Sequence, residues 1–271
     1  MTTMTTRSLK QTFADLRSRH QIGLLPFVPA GYPDLATTQA LLPALQRAGA
    51  SAIEIGIPFS DSIADGPTIQ EAFVTALSHK LKLKDIFAAV AAARPTVSIP
   101  LIAMISYSIV FRYGLGRFLT DAKTAGFNAL ILPDLPPPEA ESVCQEVQSA
   151  GLDTILLVAP TTATNRRQEI ARLCTGFVYY MSISGITGER DFLPLDLEPN
   201  VRQLRQLTQT PVCVGFGVSK PEHVAQLAPF ADGAIVGSAL VKHIKQHMTQ
   251  DPAAIVQAVE TYCRELLTKV R

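Results

Sequence analysis

One unit recurs along the 271 residues: a short apolar run, a polar or glycine-containing turn, an amphipathic stretch, and often a glycine stop. Apolar runs fall at 24–29, 52–57, 100–105, 128–132, 153–158, 177–181, 212–215 and 234–237. The intervening segments carry helical spacing, and Gly49, Gly126 and Gly151 stand where helices should stop. Most of the runs are apolar throughout rather than alternating, so their strands are covered on both faces, as in a parallel sheet with helices outside. Eight such units predict a single closed α/β barrel, the (β/α)8 or TIM barrel, which needs roughly 250 residues. An open doubly wound sheet would carry a Gly-x-Gly-x-x-Gly turn after its first strand, and Ala30-Gly31-Tyr32-Pro33 is not one. Leu9, Phe13 and Leu16 add an N-terminal helix within residues 1–22, and no linker suggests a second domain within 1–271.

The remaining composition removes whole classes of partner. Lys+Arg 24 against Asp+Glu 23 provides no field for nucleic acid or an anionic membrane. No apolar run reaches the ~18 residues of a membrane span, and 1–7 is Thr-rich with no signal-peptide core, so a cytoplasmic location is expected. Cys144, Cys174, Cys213 and Cys263 are widely spaced and read as buried free thiols. His243 and His247 lie four apart among lysines with no carboxylate close by, so a solvated helix face is expected there and no metal site.

The second unit carries the chemistry. Ile53, Ile55 and Ile57 alternate with Ala52, Glu54 and Gly56, which leaves Glu54 alone on the face opposite the isoleucines. With the isoleucines against the helices, Glu54 points into the barrel, where desolvation would raise its pKa toward neutrality. The alternative is an ion pair, but no expected strand interior holds a Lys or Arg. Asp65 follows on the next loop, just before Gly66-Pro67 opens a helix. Asp61, in Ser60-Asp61-Ser62, reads as a turn residue instead. Phe27, Met104, Ile131 and Tyr179, near the ends of four strands, could line an apolar pocket or simply pack the core.

Two glycine loops stand where barrels of this kind hold phosphate, after strands seven and eight. They are Val214-Gly215-Phe216-Gly217-Val218-Ser219 and Val236-Gly237-Ser238-Ala239. Glycine lets backbone N–H groups approach an anion, and the helix opened by Ser238 directs its positive end at the same point. The sixth loop, Ser184-Gly185-Ile186-Thr187-Gly188, is long enough for a lid.

These motifs resemble the tryptophan synthase alpha chain family over nearly the whole length. The carriers are Ile53-Glu54-Ile55-Gly56-Ile57-Pro58-Phe59-Ser60-Asp61, Ala64-Asp65-Gly66-Pro67-Thr68-Ile69-Gln70, Pro133-Asp134-Leu135-Pro136, Gly185-Ile186-Thr187-Gly188, Gly215-Phe216-Gly217 and Gly237-Ser238. The resemblance implies retro-aldol cleavage of indole-3-glycerol phosphate to indole and glyceraldehyde 3-phosphate. Glu54 would relay protons and Asp65 would face the indole N–H. By the same resemblance Thr187 and Gly188 belong to the lid, with Thr187 holding Asp65, and Phe27, Ile69 and Tyr179 line the indole pocket. Gly215, Phe216, Gly217, Gly237 and Ser238 would hold the phosphate. No cofactor is implied in this chain, because pyridoxal phosphate belongs to a partner beta chain.

Three positions depart from the family pattern: Ser62 after Asp61, Tyr107-Ser108-Ile109 after the third strand, and Ile183 in the sixth loop. Ser62, Ser108 and Ile109 lie where the family's alpha chain meets its beta chain. A stand-alone indole-releasing lyase therefore stays open beside the paired enzyme. So does an inactive regulatory barrel that binds a phosphorylated ligand, although such a binder would not need both carboxylates.

Overall fold

The computed structural model describes residues 6–62, 65–182, 193–215 and 217–270. Helix α1 (Leu9–Ser18) precedes β1 (Gly23–Pro29), α2 (Leu35–Ala48) and β2 (Ile53–Gly56). Then come α3 (Pro67–Ser78), α4 (Leu83–Ala93), β3 (Leu101–Met104), α5 (Tyr107–Tyr113), α6 (Leu115–Ala125) and β4 (Ala129–Ile131). Next are α7 (Pro137–Ser149), β5 (Asp153–Val158), α8 (Thr164–Leu173), β6 (Val178–Met181) and α9 (Leu197–Gln206). The chain ends with β7 (Val212–Gly215), α10 (Pro221–Leu227), β8 (Gly233–Val236), α11 (Ser238–His247) and α12 (Pro252–Leu266). All neighbouring strands pair in parallel, and β8 returns to β1, so the sheet closes in sequence order as the expected barrel.

The apolar residues divide into two bodies. Ile53, Ile55, Leu101, Ala103, Val178, Val212 and Val214 belong to the large cluster between sheet and helices. Leu25, Ala52, Ile102, Ala129, Ile155, Phe177, Tyr179, Cys213 and Ile235 form a smaller one inside the strand ring. Every strand but β2 thus contributes to both, which is why most of the runs read as continuously apolar.

Leu9 and Phe13 of α1 belong to this inner cluster, and Phe13 meets Phe177 edge-on with ring centroids 6.0 Å apart. The N-terminal helix is therefore a plug that closes the barrel end opposite the strand C-termini. Ser8 caps it, accepting the Gln11 N–H at 3.2 Å. Arg17 clamps it through two bonds to the buried Asp232, at 2.7 and 3.1 Å, and Asp232 also accepts the Val212 N–H at 2.8 Å.

Gly49 (φ 101°) and Gly126 (φ 100°) end α2 and α6 in the left-handed region, as helix-stop glycines should. Residues 107–113 after β3, where the sequence spacing marks no element, form helix α5. The Ser106 hydroxyl starts it by accepting the Ser108 N–H, while Asp134 receives the Tyr107 N–H at 2.7 Å and the Ser106 hydroxyl at 2.6 Å. That cap comes from the turn after β4, 27 residues away, so local sequence spacing does not reveal it.

The four cysteines are buried and free. The solvated face expected at His243 and His247 is corrected: both are partly buried, and His243 stacks on Tyr262 at 3.9 Å between centroids. Helix α12 supplies that tyrosine, so the contact appears only in the tertiary structure.

Candidate active site

The site is built on the C-terminal ends of the strands. Ala52 is an inner-cluster residue, whereas Ile53 and Ile55 belong to the outer one, so the two-residue period of β2 turns Glu54 inward. Glu54 is 0% exposed and lies in register between Phe27 of β1 and Ile102 of β3. Among the described residues, the buried polar side-chain atoms without a hydrogen bond are its two carboxyl oxygens and the Tyr180 hydroxyl. Removal from water with no compensating donor pushes the Glu54 carboxyl well above the usual carboxylate range. Burial therefore favours its protonated form.

Asp65 sits in the turn that leads into α3, its N–H donating to the Ser62 carbonyl at 3.1 Å. The same carbonyl accepts from the Gln70 side chain at 3.1 Å, which ties the turn to the first stretch of α3. Gly66 precedes Pro67 at the first helical position, as the sequence anticipated. Partial burial raises the Asp65 carboxyl to about 6, so it is mainly an anion at neutral pH. The deeper burial of Glu54 favours its acid form more than the turn favours that of Asp65, the separation that an acid and an anion dividing one reaction require.

Tyr179 of β6 connects them. Its buried phenol is held far above its ordinary value, first by desolvation and then by the charges of Glu54 and Asp65, so both carboxyls lie within electrostatic reach of it. The ring fits because β7 has glycine at its end: a Cβ on Gly215 would fall 2.3 Å from the Tyr179 hydroxyl. Across the barrel, a Cβ on Gly56 would fall 2.3 Å from Cζ of Phe27. Phe27 therefore leans over Gly56 and meets Phe73 of α3 edge-on, with centroids 6.5 Å apart. Ile131 is in the inner cluster, while Met104, Leu157 and Met181 are half-buried at its rim. Leu157 and Met181 were not singled out from the sequence. The available signal was their position two residues beyond the inward Ile155 and Tyr179.

The glycine loops lie on the same end. Gly217 has φ 86°, a conformation that side-chain-bearing residues rarely adopt. Gly237 immediately precedes α11, no side chain caps that helix, and Ser238 is its buried first residue. The first backbone N–H groups of α11 are thus left for an anion. Among the described residues, a Cβ on Gly237 would touch only Ile69, at 3.9 Å. Ile69 of α3 and the Gly237 turn are therefore neighbours, which joins the expected apolar pocket to the expected anion site. Thr187, Gly188, Phe216 and Ile183 lie outside the described residues.

Among the described residues no three His, Cys, Asp or Glu side chains gather to hold a metal ion, and no helix is long and apolar enough to cross a membrane. A cavity of about 230 Å³ lies behind β4 and β5, lined by Leu132, Leu156, Ile170 and Arg166 among others, with neither carboxyl in its walls.

The chain is similar to known proteins in sequence and fold. Residues 13–271 match the family model described as "Tryptophan synthase alpha chain". The tryptophan synthase alpha chain of Rhodopirellula baltica is 41% identical over 260 residues, covering 95% of this chain and 94% of the relative. That of Synechocystis is 42% identical over 259 residues, covering 95% and 97%. The crystal structure of aminoacrylate-bound tryptophan synthase from M. tuberculosis superposes with a TM-score of 0.86 at 32% identity, covering 98% of this chain and 100% of that one. A mutant tryptophan synthase alpha-subunit from Pyrococcus furiosus gives 0.84 at 37% identity, covering 91% and 98%. On sequence, length and fold together, this chain belongs to the tryptophan synthase alpha chain family.

Proposed function

We propose that this chain is the carbon–carbon lyase of the alpha reaction in tryptophan biosynthesis, with Glu54 and Asp65 as its catalytic pair. The substrate is indole-3-glycerol phosphate, and the products are indole and glyceraldehyde 3-phosphate. The observation that carries the residue assignment is the Glu54 carboxyl, 0% exposed, turned into the barrel and without a hydrogen-bond partner.

In this mechanism protonated Glu54 gives its proton to ring carbon C3 of the indole. The positive charge that develops reaches the ring nitrogen, where ionised Asp65 accepts the N–H and stabilises it. Glu54, now a carboxylate, takes the proton of the side-chain hydroxyl next to C3. The C–C bond then breaks, its electron pair returns to the indole ring and the hydroxyl carbon becomes the aldehyde. Glu54 ends protonated, ready for the next turnover.

Phe27, Ile69 and Tyr179 enclose the indole, and their burial at the mouth supports that role. The phosphate sits on the N–H groups of the Gly215–Gly217 turn and on those of Gly237 and Ser238. The left-handed Gly217 and the uncapped start of α11 support this placement. Phe216, Thr187 and Gly188 keep the roles the resemblance implies.

The partner is a tryptophan synthase beta chain, which brings the pyridoxal phosphate. The docking face is the turn at Pro133-Asp134-Leu135-Pro136 with α5, where Phe111 is 70% exposed. Ser108 bonds there to Ser106 at 2.7 Å, and Ile109 packs partly against the core, so both departures are accommodated without loss of the helix. Four reduced, buried thiols support work in the cytoplasm.

The deciding experiment is an indole-release assay on indole-3-glycerol phosphate, with and without a beta chain, for the parent and Glu54→Gln. Release by the parent and none by the variant is expected. Equal release by both would overturn the assignment of Glu54.

A further inference from the structure

The loop between β7 and α10 is fastened at Ser219 from two sides. The Tyr262 hydroxyl of α12 donates to the Ser219 carbonyl at 2.9 Å, and the Ser219 N–H donates to Nδ1 of His223 in α10 at 3.2 Å. Both anchors are held firmly: Tyr262 is 8% exposed with its ring stacked on His243, and His223 is 2% exposed. Ser219 lies two residues after Gly217, whose left-handed backbone makes the turn. The N–H groups of a loop serve as anion donors only if their directions are fixed before the ligand arrives. Here the peptide groups on both sides of Ser219 are fixed by side chains from two different helices, and neither helix contributes a group to the reaction.

We propose that Tyr262 and His223 are positioning residues for the phosphate-binding turn, which they hold by clamping the backbone of Ser219. This rests on the phosphate reading of that turn. It adds two residues, far apart in sequence, that set affinity for the phosphate end of the substrate and leave the bond-breaking groups untouched. His223 must present Nδ1 as an acceptor, so its ring proton is on Nε2.

The test measures inorganic phosphate as a competitive inhibitor of indole-3-glycerol phosphate cleavage, alongside KM and kcat. Tyr262→Phe keeps the stacked ring and removes one bond, so its inhibition constant and KM should each rise about three- to tenfold. Its kcat should change less than about twofold, because the reacting atoms are not affected. His223→Leu should behave in the same way. His223→Asn, which restores an acceptor near the Nδ1 position, should recover most of the loss, whereas a residue that only fills space would not be rescued by a polar group. If His223→Leu does not fold, Tyr262→Phe and His223→Asn still decide.

Ser238→Ala separates the two ways of failing. A parent that phosphate does not inhibit, or a Ser238→Ala variant with unchanged inhibition, would overturn the phosphate reading and this inference with it. Weakened inhibition in Ser238→Ala with parental constants in Tyr262→Phe would overturn the clamp alone.

Discussion

Glu54 shows how one residue can be costly to the fold and necessary to the chemistry. Burial holds its carboxyl well above the ordinary value of 4.5, which costs folding free energy wherever the unfolded chain would ionise. The folded state holds the proton more tightly than the unfolded one, so stability is full below about 4.5 and falls as pH rises toward the folded value. Glu54→Gln should therefore lower turnover by about a thousandfold while making the chain more stable at pH 7. The stability gain should disappear near pH 4, and urea unfolding at both pH values measures it. Asp65, raised to about 6, behaves in the same direction over a lower range. As an anion it serves the reaction above that pH, so kcat/KM should fall on the acid side of about 6. Asp65→Asn should lower kcat strongly and flatten that limb. A parent profile with no acid limb near 6 would remove Asp65 from the mechanism.

At the scale of elements, glycines and a plug divide the barrel into a working end and a stabilising end. Gly215 leaves room for Tyr179, and a methyl group there would lie 2.3 Å from the phenol oxygen. Gly215→Ala should push the ring into the mouth, raise KM about tenfold or more and cost about 1–3 kcal/mol of stability, because the added methyl overlaps a buried ring. At the opposite end, Phe13 fills the barrel floor at 1% exposure. Phe13→Ala should destabilise by about 3–5 kcal/mol and leave kcat at 25 °C near the parental value, as denaturant unfolding paired with the indole assay will show. Opposite results for the two variants would mean that the two ends are not independent.

For the whole molecule, the open question is who receives the indole. Phe111 on α5 is exposed at the proposed docking face, so Phe111→Asp should prevent co-elution with a beta chain on gel filtration. The same variant should cleave indole-3-glycerol phosphate alone at the parental rate. Loss of both properties would place Phe111 in the fold rather than at the interface.

The sequence by itself pointed to the barrel, because eight two-sided apolar runs separated by helical spacing need helices on both faces or a closed ring, and the first turn lacks the glycine fingerprint of the open sheet. It also determined that Glu54 faces inward, since the period of two leaves no choice once Ile53 and Ile55 pack on helices. The glycine turns at Gly217 and Gly237 were legible for the same local reason: a backbone that must bend tightly or approach an anion needs a residue with no side chain. Tertiary structure alone decided what depends on distant partners. Helix α5 needed Asp134 from another turn, the Arg17 clamp needed Asp232, and the Tyr262 and His223 hold on Ser219 needed two later helices. Each is a hydrogen bond between groups brought together by barrel closure, and no pattern along the chain records such a meeting.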